Sequence, residues 1–437
     1  MESAPRGLIV AAPSSGSGKT TVTLALLRYL ANNGHRVSSF KVGPDYIDGK
    51  FHEAASHRVC RNIDAWAMRD ETIATLIGDI SDGAEIVIGE GVMGVFDGAA
   101  DGTGSTADVS AMTGFPIVLV VDVGGQAATA AAVVRGLSTW RRDVEVAGVV
   151  FNRVGGSSHA KMLEAAMADE AVPVLGTLPR CDELTLPDRH LGLVQAAEHD
   201  ELGSFLDRAA EIVARHVDIG KLCSLAKPPV IGGDADLSPL PPIGQRIAVA
   251  RDEAFSFAYP HVLEGWRRAG SDIAFFSPLG DAAPRGDADA VYLPGGYPEL
   301  HAGLLAANSQ FMAGLRDAAG RGAFVFGECG GYMVLGDILV DAGGQRHRMA
   351  GLLALETSFA ERNLHLGYRK AELLGDCPLG AKGTSFRGHE FHYASVIAEA
   401  ENDKLFEAED ALGASSAAFG GRRGSVAGSF LHLVDLA

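Results

Sequence analysis

Residues 8–20 read Leu8-Ile9-Val10-Ala11-Ala12-Pro13-Ser14-Ser15-Gly16-Ser17-Gly18-Lys19-Thr20: an apolar run, a loop of small residues, then a lysine and a hydroxyl. An apolar run of this length bounded by a turn reads as a buried strand. The stretch Thr20–Asn33 has helical character and stops at Asn33-Gly34. Strand, glycine-rich turn and helix in that order make a phosphate cradle. Glycines leave backbone N–H groups unshielded and the helix N-terminus attracts anions. The lysine reaches the β and γ phosphates, and the hydroxyl suits Mg2+. Gly16, Gly18, Lys19 and Thr20 are the expected ATP contacts, with Thr20 also on the metal. The stretch departs from the usual P-loop pattern at Pro13, which replaces the first glycine.

Outward from this stretch, Val37–Val42, Glu85–Gly89, Pro116–Val121 and Val144–Phe151 read as further buried strands alternating with helices, as far as a helix over Glu201–His216. That alternation predicts a doubly wound parallel sheet, whose ligand crevice lies at the C-terminal ends of the strands. Lys41-Val42-Gly43-Pro44-Asp45-Tyr46-Ile47-Asp48 follows one strand, and Glu90 closes another where a metal needs an acid. Asn152, in Phe151-Asn152-Arg153, is placed to read an adenine edge.

Residues 224–245 contain Pro228, Pro229, Gly232, Gly233, Pro239, Pro241 and Pro242 and read as a linker. A second α/β series follows, with strands at Arg246–Ala250, Asp272–Phe276, Ala290–Leu293 and Ala323–Phe326. The expected division is a domain over 1–223, a linker over 224–245 and a second domain over 246–437. The last of these strands enters Gly327-Glu328-Cys329-Gly330-Gly331-Tyr332-Met333, small residues around a cysteine at a strand-to-helix turn. Such an elbow exposes sulfur at the end of a sheet, and the following helix favours the thiolate. His432 is the candidate base, with His389 and His392 as rivals. Pro294-Gly295-Gly296-Tyr297-Pro298 offers backbone N–H groups, Gly296 in particular, to an oxyanion.

Composition sets the outer bounds. The chain has 437 residues, 47% hydrophobic and 21% charged, which excludes disorder as its main state. The 55 acids against 37 bases give a net charge of −18, which argues against nucleic-acid or anionic-membrane binding. The 55 glycines exceed the usual ~7% without a repeat, consistent with many tight turns. The 5 cysteines are scattered, with no CxxC spacing, so neither a zinc cluster nor a disulfide framework is expected. No signal peptide and no membrane span are read, and the expected setting is cytoplasmic.

Gly327–Gly331, Pro294–Pro298 and the late His432 together resemble the class I type glutamine amidotransferase domain in the form found in cobalamin-pathway amidases. Lys41–Asp48, Glu90-Gly91-Val92-Met93-Gly94-Val95-Phe96-Asp97, Leu186-Pro187-Asp188-Arg189-His190-Leu191-Gly192 and Arg387–Tyr393 extend the resemblance over both domains, to the cobyrinic or hydrogenobyrinic acid a,c-diamide synthases. The resemblance implies that Cys329, with His432 as base, releases ammonia from glutamine. Mg-ATP then phosphorylates the a and c acetate carboxylates of the corrin for amidation. It implies Asp45 and Glu90 near Mg2+, with Tyr46, Asp48 and Asp97 at the substrate carboxylate. It also implies a homodimer, and likeness to aerobic-pathway members favours a metal-free corrin over cobyrinic acid.

Two departures stand out. Triad amidotransferases carry a glutamate two residues after the histidine, where this chain has Val434, so a Cys–His dyad is expected. Dimeric P-loop ATPases carry a signature lysine where this chain has Ser14. Within the same chemistry, sirohydrochlorin a,c-diamide synthase and cobyric acid synthase are the alternatives. In another class, the alternative is a P-loop regulatory ATPase with a non-catalytic amidotransferase-like module.

Overall fold

The computed structural model describes residues 4–184, 188–189, 192–193, 196, 201–233, 238–400, 403–414 and 416–437. The chain divides into two compact units, Met1–Trp66 with Ile73–Ala235, and Ala67–Thr72 with Asp236–Ala437.

In the first unit the strands are Arg6–Ala11 (β1), Val37–Val42 (β2), Arg61–Ile63 (β3), Ile86–Glu90 (β4), Ile117–Asp122 (β5), Val146–Val154 (β6) and Val174–Pro179 (β7). They form one sheet in the order β3-β2-β4-β1-β5-β6-β7, with every pairing parallel. The central strands are buried along almost their whole length, as a sheet covered on both faces requires. β4 and β5 flank β1, so the loops leaving β1, β2 and β4 gather at one end of the sheet. Helices Lys19–Asn32 and Asp48–Ser56 follow β1 and β2.

Two strands lie outside the sequence expectation. β3 has 3 residues, too few for a periodic signal. β7 is an edge strand of mixed burial ending on Pro179, a position where a missing N–H is tolerated. The stretch read as a linker is packed in its described parts. Lys227, Val230 and Gly233 donate backbone hydrogen bonds to Gly7, Thr113 and Ala74 in the first unit. Leu240 and Ile243 are 2% and 3% exposed in the second. Residues 234–237 of that stretch lie outside the described residues.

The second unit has a six-stranded sheet. Asp272–Phe276, Arg246–Ala250, Ala290–Leu293, Phe324–Glu328 and Val426–Ser429 pair in parallel in that order, and Gly421–Arg423 closes the edge antiparallel. Its core includes Phe255, Leu293, Phe311, Val325 and Tyr332, each buried. Burying each such large side chain contributes about 1.5–3 kcal/mol. A five-stranded antiparallel sheet in the order 416–419, 406–410, 365–373, 385–392, 431–436 stands beside it. That sheet escapes a sequence reading because strands such as His365–Leu373 are half exposed and rich in charge. Among the described residues, no helix is long and apolar enough to cross a membrane.

Candidate active sites

The loop after β1 turns through Gly16 (φ 77°) and Gly18 (φ 91°). Such angles favour glycine, and a β-carbon at Gly18 would also lie 2.3 Å from Asn152 Nδ2. Ser17 Oγ donates to Ser14 O at 2.9 Å, tightening the loop. Thr20 Oγ1 donates to Glu90 Oε1 at 2.5 Å, joining the helix start to the end of β4. Beside the loop is a cavity of about 560 Å³ whose lining includes Gly16, Gly18, Lys19, Thr20, Asn152 and Arg180. Asn152 Nδ2 donates to Ser17 O at 2.9 Å and its Oδ1 accepts from Arg153 N at 2.9 Å. The side chain expected to read the base therefore braces the phosphate loop.

Behind the cradle lies a buried charge network. Lys41, at 3% exposure, donates to Asp48 Oδ2 at 2.5 Å and to Glu90 Oε1 at 2.7 Å. His52 Nε2 lies 2.7 Å from Glu90 Oε2, and its Nδ1 is 3.6 Å from Cys60 Sγ. Burial pushes Glu90 up, but the Lys41 ammonium and the His52 contact outweigh it and hold the carboxyl well below its ordinary range. Burial and the neighbouring Asp45 raise Asp48 to about 6 against the pull of Lys41. Lys19 is lowered by burial and by Lys41. Burial alone would lower His52, but Cys60 and Glu90 raise it to about 10.

Asp45 Oδ1 accepts from the backbone of Ile47 at 2.8 Å and Asp48 at 3.0 Å, opening the helix that carries Asp48 and His52. Tyr46 between them is half-buried. Asp97 Oδ2 accepts from Gly94 N at 2.9 Å, and Val95 N donates to Ala12 O at 2.9 Å. The loop bearing Asp97 is thereby fastened to the residue before the phosphate loop. The donors gathered here are carboxylates and a hydroxyl, the hard oxygens that Mg2+ prefers. Of the three expected metal contacts, Thr20 and Glu90 meet directly, while Asp45 Oδ1 accepts from backbone N–H groups of its own loop. The sequence reading assigned no role to Lys41 or His52. The available signal was the i, i+4 spacing of Asp48 and His52, which puts both on one helix face. Of the motif Leu186–Gly192, Leu186, Pro187, His190 and Leu191 lie outside the described residues.

In the second unit, Cys329 stands between strand Phe324–Glu328 and helix Gly330–Leu335 with φ 47° and ψ −105°, a strained non-glycine conformation of the kind stored at functional sites. A β-carbon at Gly331 would lie 1.9 Å from Leu293 O, so only glycine lets the helix close on the sheet. Gly295 sits between the two expected reacting groups. A β-carbon there would be 2.4 Å from His432 Cε1 and 3.3 Å from Cys329 Cβ. The Gly296 amide nitrogen lies 3.0 Å from where Gly330 would carry a β-carbon, so the glycine pair borders the elbow.

The rival histidines are placed differently. His389 stacks on His432, ring centroids 4.8 Å apart, and its Nε2 lies 2.7 Å from Tyr259 Oη. His392 Nε2 faces Glu390 Oε1 at 2.9 Å, while its Nδ1 meets Ala394 O at 3.0 Å. Burial, then Glu299, push the Cys329 thiol up, so the helix start does not give a resting thiolate. Burial and the neighbouring His389 and His392 hold His432 well below its ordinary value. Both shifts favour the neutral forms, the thiol at Cys329 and the imidazole at His432. Next to Val434, Asp435 binds Arg69 and Thr72.

Both domains match family models. Residues 8–194 match a CobQ/CobB/MinD/ParA nucleotide binding domain, and residues 246–436 match a CobB/CobQ-like glutamine amidotransferase domain. A Brucella anthropi protein named hydrogenobyrinate a,c-diamide synthase is 53% identical over 432 residues, covering 98% of this chain and 98% of that protein. Proteins of the same name from Rhizobium meliloti (52%, covering 98% of this chain and 99% of the relative) and Mesorhizobium japonicum (50%, covering 98% of each) align as fully. With identity of this order over nearly the whole length of both domains, the chain belongs to the hydrogenobyrinate a,c-diamide synthase family.

Proposed function

We propose that this chain amidates the a and c acetate carboxylates of hydrogenobyrinic acid, with glutamine as nitrogen donor and ATP hydrolysis as the driving reaction. The observation that carries this reading is end-to-end identity with synthases of that name, so the two halves of the reaction are inherited together.

In the C-terminal unit, His432 takes the proton of Cys329 as sulfur attacks the amide carbon of glutamine. The oxyanion faces the Gly296 N–H. Ammonia leaves with a proton returned by His432, and water then cleaves the glutamyl thioester to glutamate. A neutral imidazole beside a neutral thiol is the protonation state this sequence starts from.

In the N-terminal unit, a carboxylate oxygen is a poor leaving group, so the acid must first be activated. A substrate carboxylate attacks the γ phosphorus of ATP, ADP departs, and ammonia displaces phosphate from the acyl phosphate to leave an amide. Lys19 and the loop amides gather charge developing on the phosphates. A magnesium ion held by Thr20, Glu90 and Asp45 would supply neutralising charge at the β and γ phosphates. Tyr46, Asp48 and Asp97 position the corrin carboxylate. Attraction of polyanionic substrates to a chain of net charge −18 is then local, supplied by the cradle and Lys19. The functional unit is read as a cytoplasmic homodimer.

Product mass after incubation with hydrogenobyrinate, glutamine and ATP tests the proposal. A gain of two amides supports it; four amides, or none, overturns it. Cobyrinic acid and sirohydrochlorin run in parallel separate the related substrates. Cys329→Ala removes glutamine-dependent turnover and keeps turnover with ammonium. Loss of both in a folded variant would contradict separate sites.

A further inference from the structure

The surroundings of Cys329 hold a carboxyl that the reaction as written leaves unused. Glu299 ends the stretch Pro294-Gly295-Gly296-Tyr297-Pro298-Glu299, directly after the oxyanion glycines. It is 8% exposed, and its Oε2 has no hydrogen-bond partner among the described residues. A buried carboxyl with an open oxygen is costly unless a proton or a cation accompanies it. Burial pushes Glu299 up to about 8, with its own backbone and the exposed Arg362 only partly opposing that rise.

Its position is next to the nucleophile. The Pro298 ring lies 2.8 Å from where a β-carbon on Gly330 would stand, so the residue before Glu299 packs on the residue after Cys329. Among the carboxyls that raise the sulfur's pKa, Glu299 comes first, ahead of Glu328 and Glu390. The other two are engaged. Glu328 accepts from Tyr292 Oη at 2.7 Å and from Leu433 N at 3.1 Å. Glu390 meets His392 at 2.9 Å and accepts from Arg369 at 2.9 Å. Glu299 is the member of the trio with a free acceptor.

We propose that Glu299 receives the α-ammonium of the glutamine whose side-chain amide is cleaved at Cys329. This rests on the glutaminase reading given above and names the group that makes the site select an α-amino acid. An ammonium brings a cation and several N–H donors, which satisfy the open oxygen and remove the cost of ionising it in a buried place. An amide lacking the α-ammonium leaves Glu299 to keep its proton or to carry an unpaired charge. A buried polar group left without its partner is a strong means of rejection, stronger than a mismatch in an apolar pocket.

The experiment compares glutamine with glutaramate, the monoamide of glutaric acid, which has the same side-chain amide and carboxylate but no α-ammonium. Ammonia release is measured on the full chain with the corrin substrate and ATP present. The wild-type protein is expected to prefer glutamine by at least about 100-fold in kcat/KM. In Glu299→Gln the preference falls below about 10-fold, with the loss on glutamine lying in KM more than in kcat. Glu299→Asp, which keeps the charge, restores part of it.

A preference that survives intact in Glu299→Gln overturns the inference and leaves the glutaminase reading standing. So does a wild-type preference below about 3-fold, a result that needs no variant to fold. Ammonia release that persists in Cys329→Ala would instead overturn the glutaminase reading itself.

Discussion

Thr20 Oγ1 donates to Glu90 Oε1 at 2.5 Å, so a hydroxyl at the first turn of one helix and an acid closing a distant strand meet at one point. The same oxygen accepts from Lys41, and the other Glu90 oxygen faces His52 Nε2. Each carboxylate oxygen is therefore oriented by a donor on another element. Glu90→Gln replaces one oxygen with an N–H donor that must face Lys41 and Thr20 or else His52. Amidation driven by ATP with ammonium as nitrogen source is expected to fall by roughly 100-fold or more. Product formation with ammonium measures this directly, and activity within about 3-fold of wild type would remove Glu90 from the reaction.

Lys41 is the cation between Asp48 and Glu90, and all three are largely withdrawn from water. Lys41→Met keeps the volume of the stem and removes the charge, leaving two buried carboxylates facing one another. Loss of one partner of such a cluster costs about 3–5 kcal/mol. Urea denaturation is expected to show that loss as a lower midpoint with an unchanged slope. A midpoint equal to wild type would mean that Asp48 and Glu90 find other partners.

Features written locally were legible in the sequence. The small-residue loop of Gly16–Thr20 and the elbow around Cys329 each carry their geometry within a few residues, because a tight turn needs glycine at particular places. Most of the central parallel strands were visible as apolar runs, whereas Arg61–Ile63, Val174–Pro179 and Val426–Ser429 were not. His52 was not visible, since its meaning comes from Glu90, which lies 38 residues away in the chain. Antiparallel strands such as His365–Leu373 were missed because they are half exposed and rich in charge. Asn152 was found by its place at a strand end, yet the direction of its amide, toward Ser17, is a tertiary fact.

The pair at Cys329 makes a prediction about pH. The base must be neutral, and burial together with His389 and His392 holds His432 well below its ordinary 6.5. As pH falls through 6.5 an ordinary histidine would gain a proton and stop acting as base, whereas His432 stays neutral. At saturating glutamine, kcat for ammonia release is therefore expected to vary by less than about 2-fold between pH 8 and pH 6. An acid limb in kcat with a midpoint at or above 6.5 would show that His432 titrates normally or that another group is the base.

Asp435 follows Val434, the position where triad relatives would carry the third catalytic residue, and its contacts point to structure. Fully buried, its carboxylate accepts from Arg69 N at 2.9 Å, Arg69 Nε at 3.1 Å, Arg69 Nη2 at 2.6 Å and Thr72 Oγ1 at 2.6 Å. The segment Ala67–Thr72 groups with the C-terminal unit, and these bonds are a physical reason for it. Asp435→Ala removes the acceptor and leaves several donors of one short segment unmatched. The expected cost is about 3–5 kcal/mol, because charge-assisted bonds to a buried carboxylate are lost together. Trypsin should then cleave after Arg69 faster than in the wild-type chain, since the backbone there loses its anchor. Cleavage at Arg69 at the wild-type rate, with an unchanged denaturation midpoint, would show that Asp435 does not hold the segment.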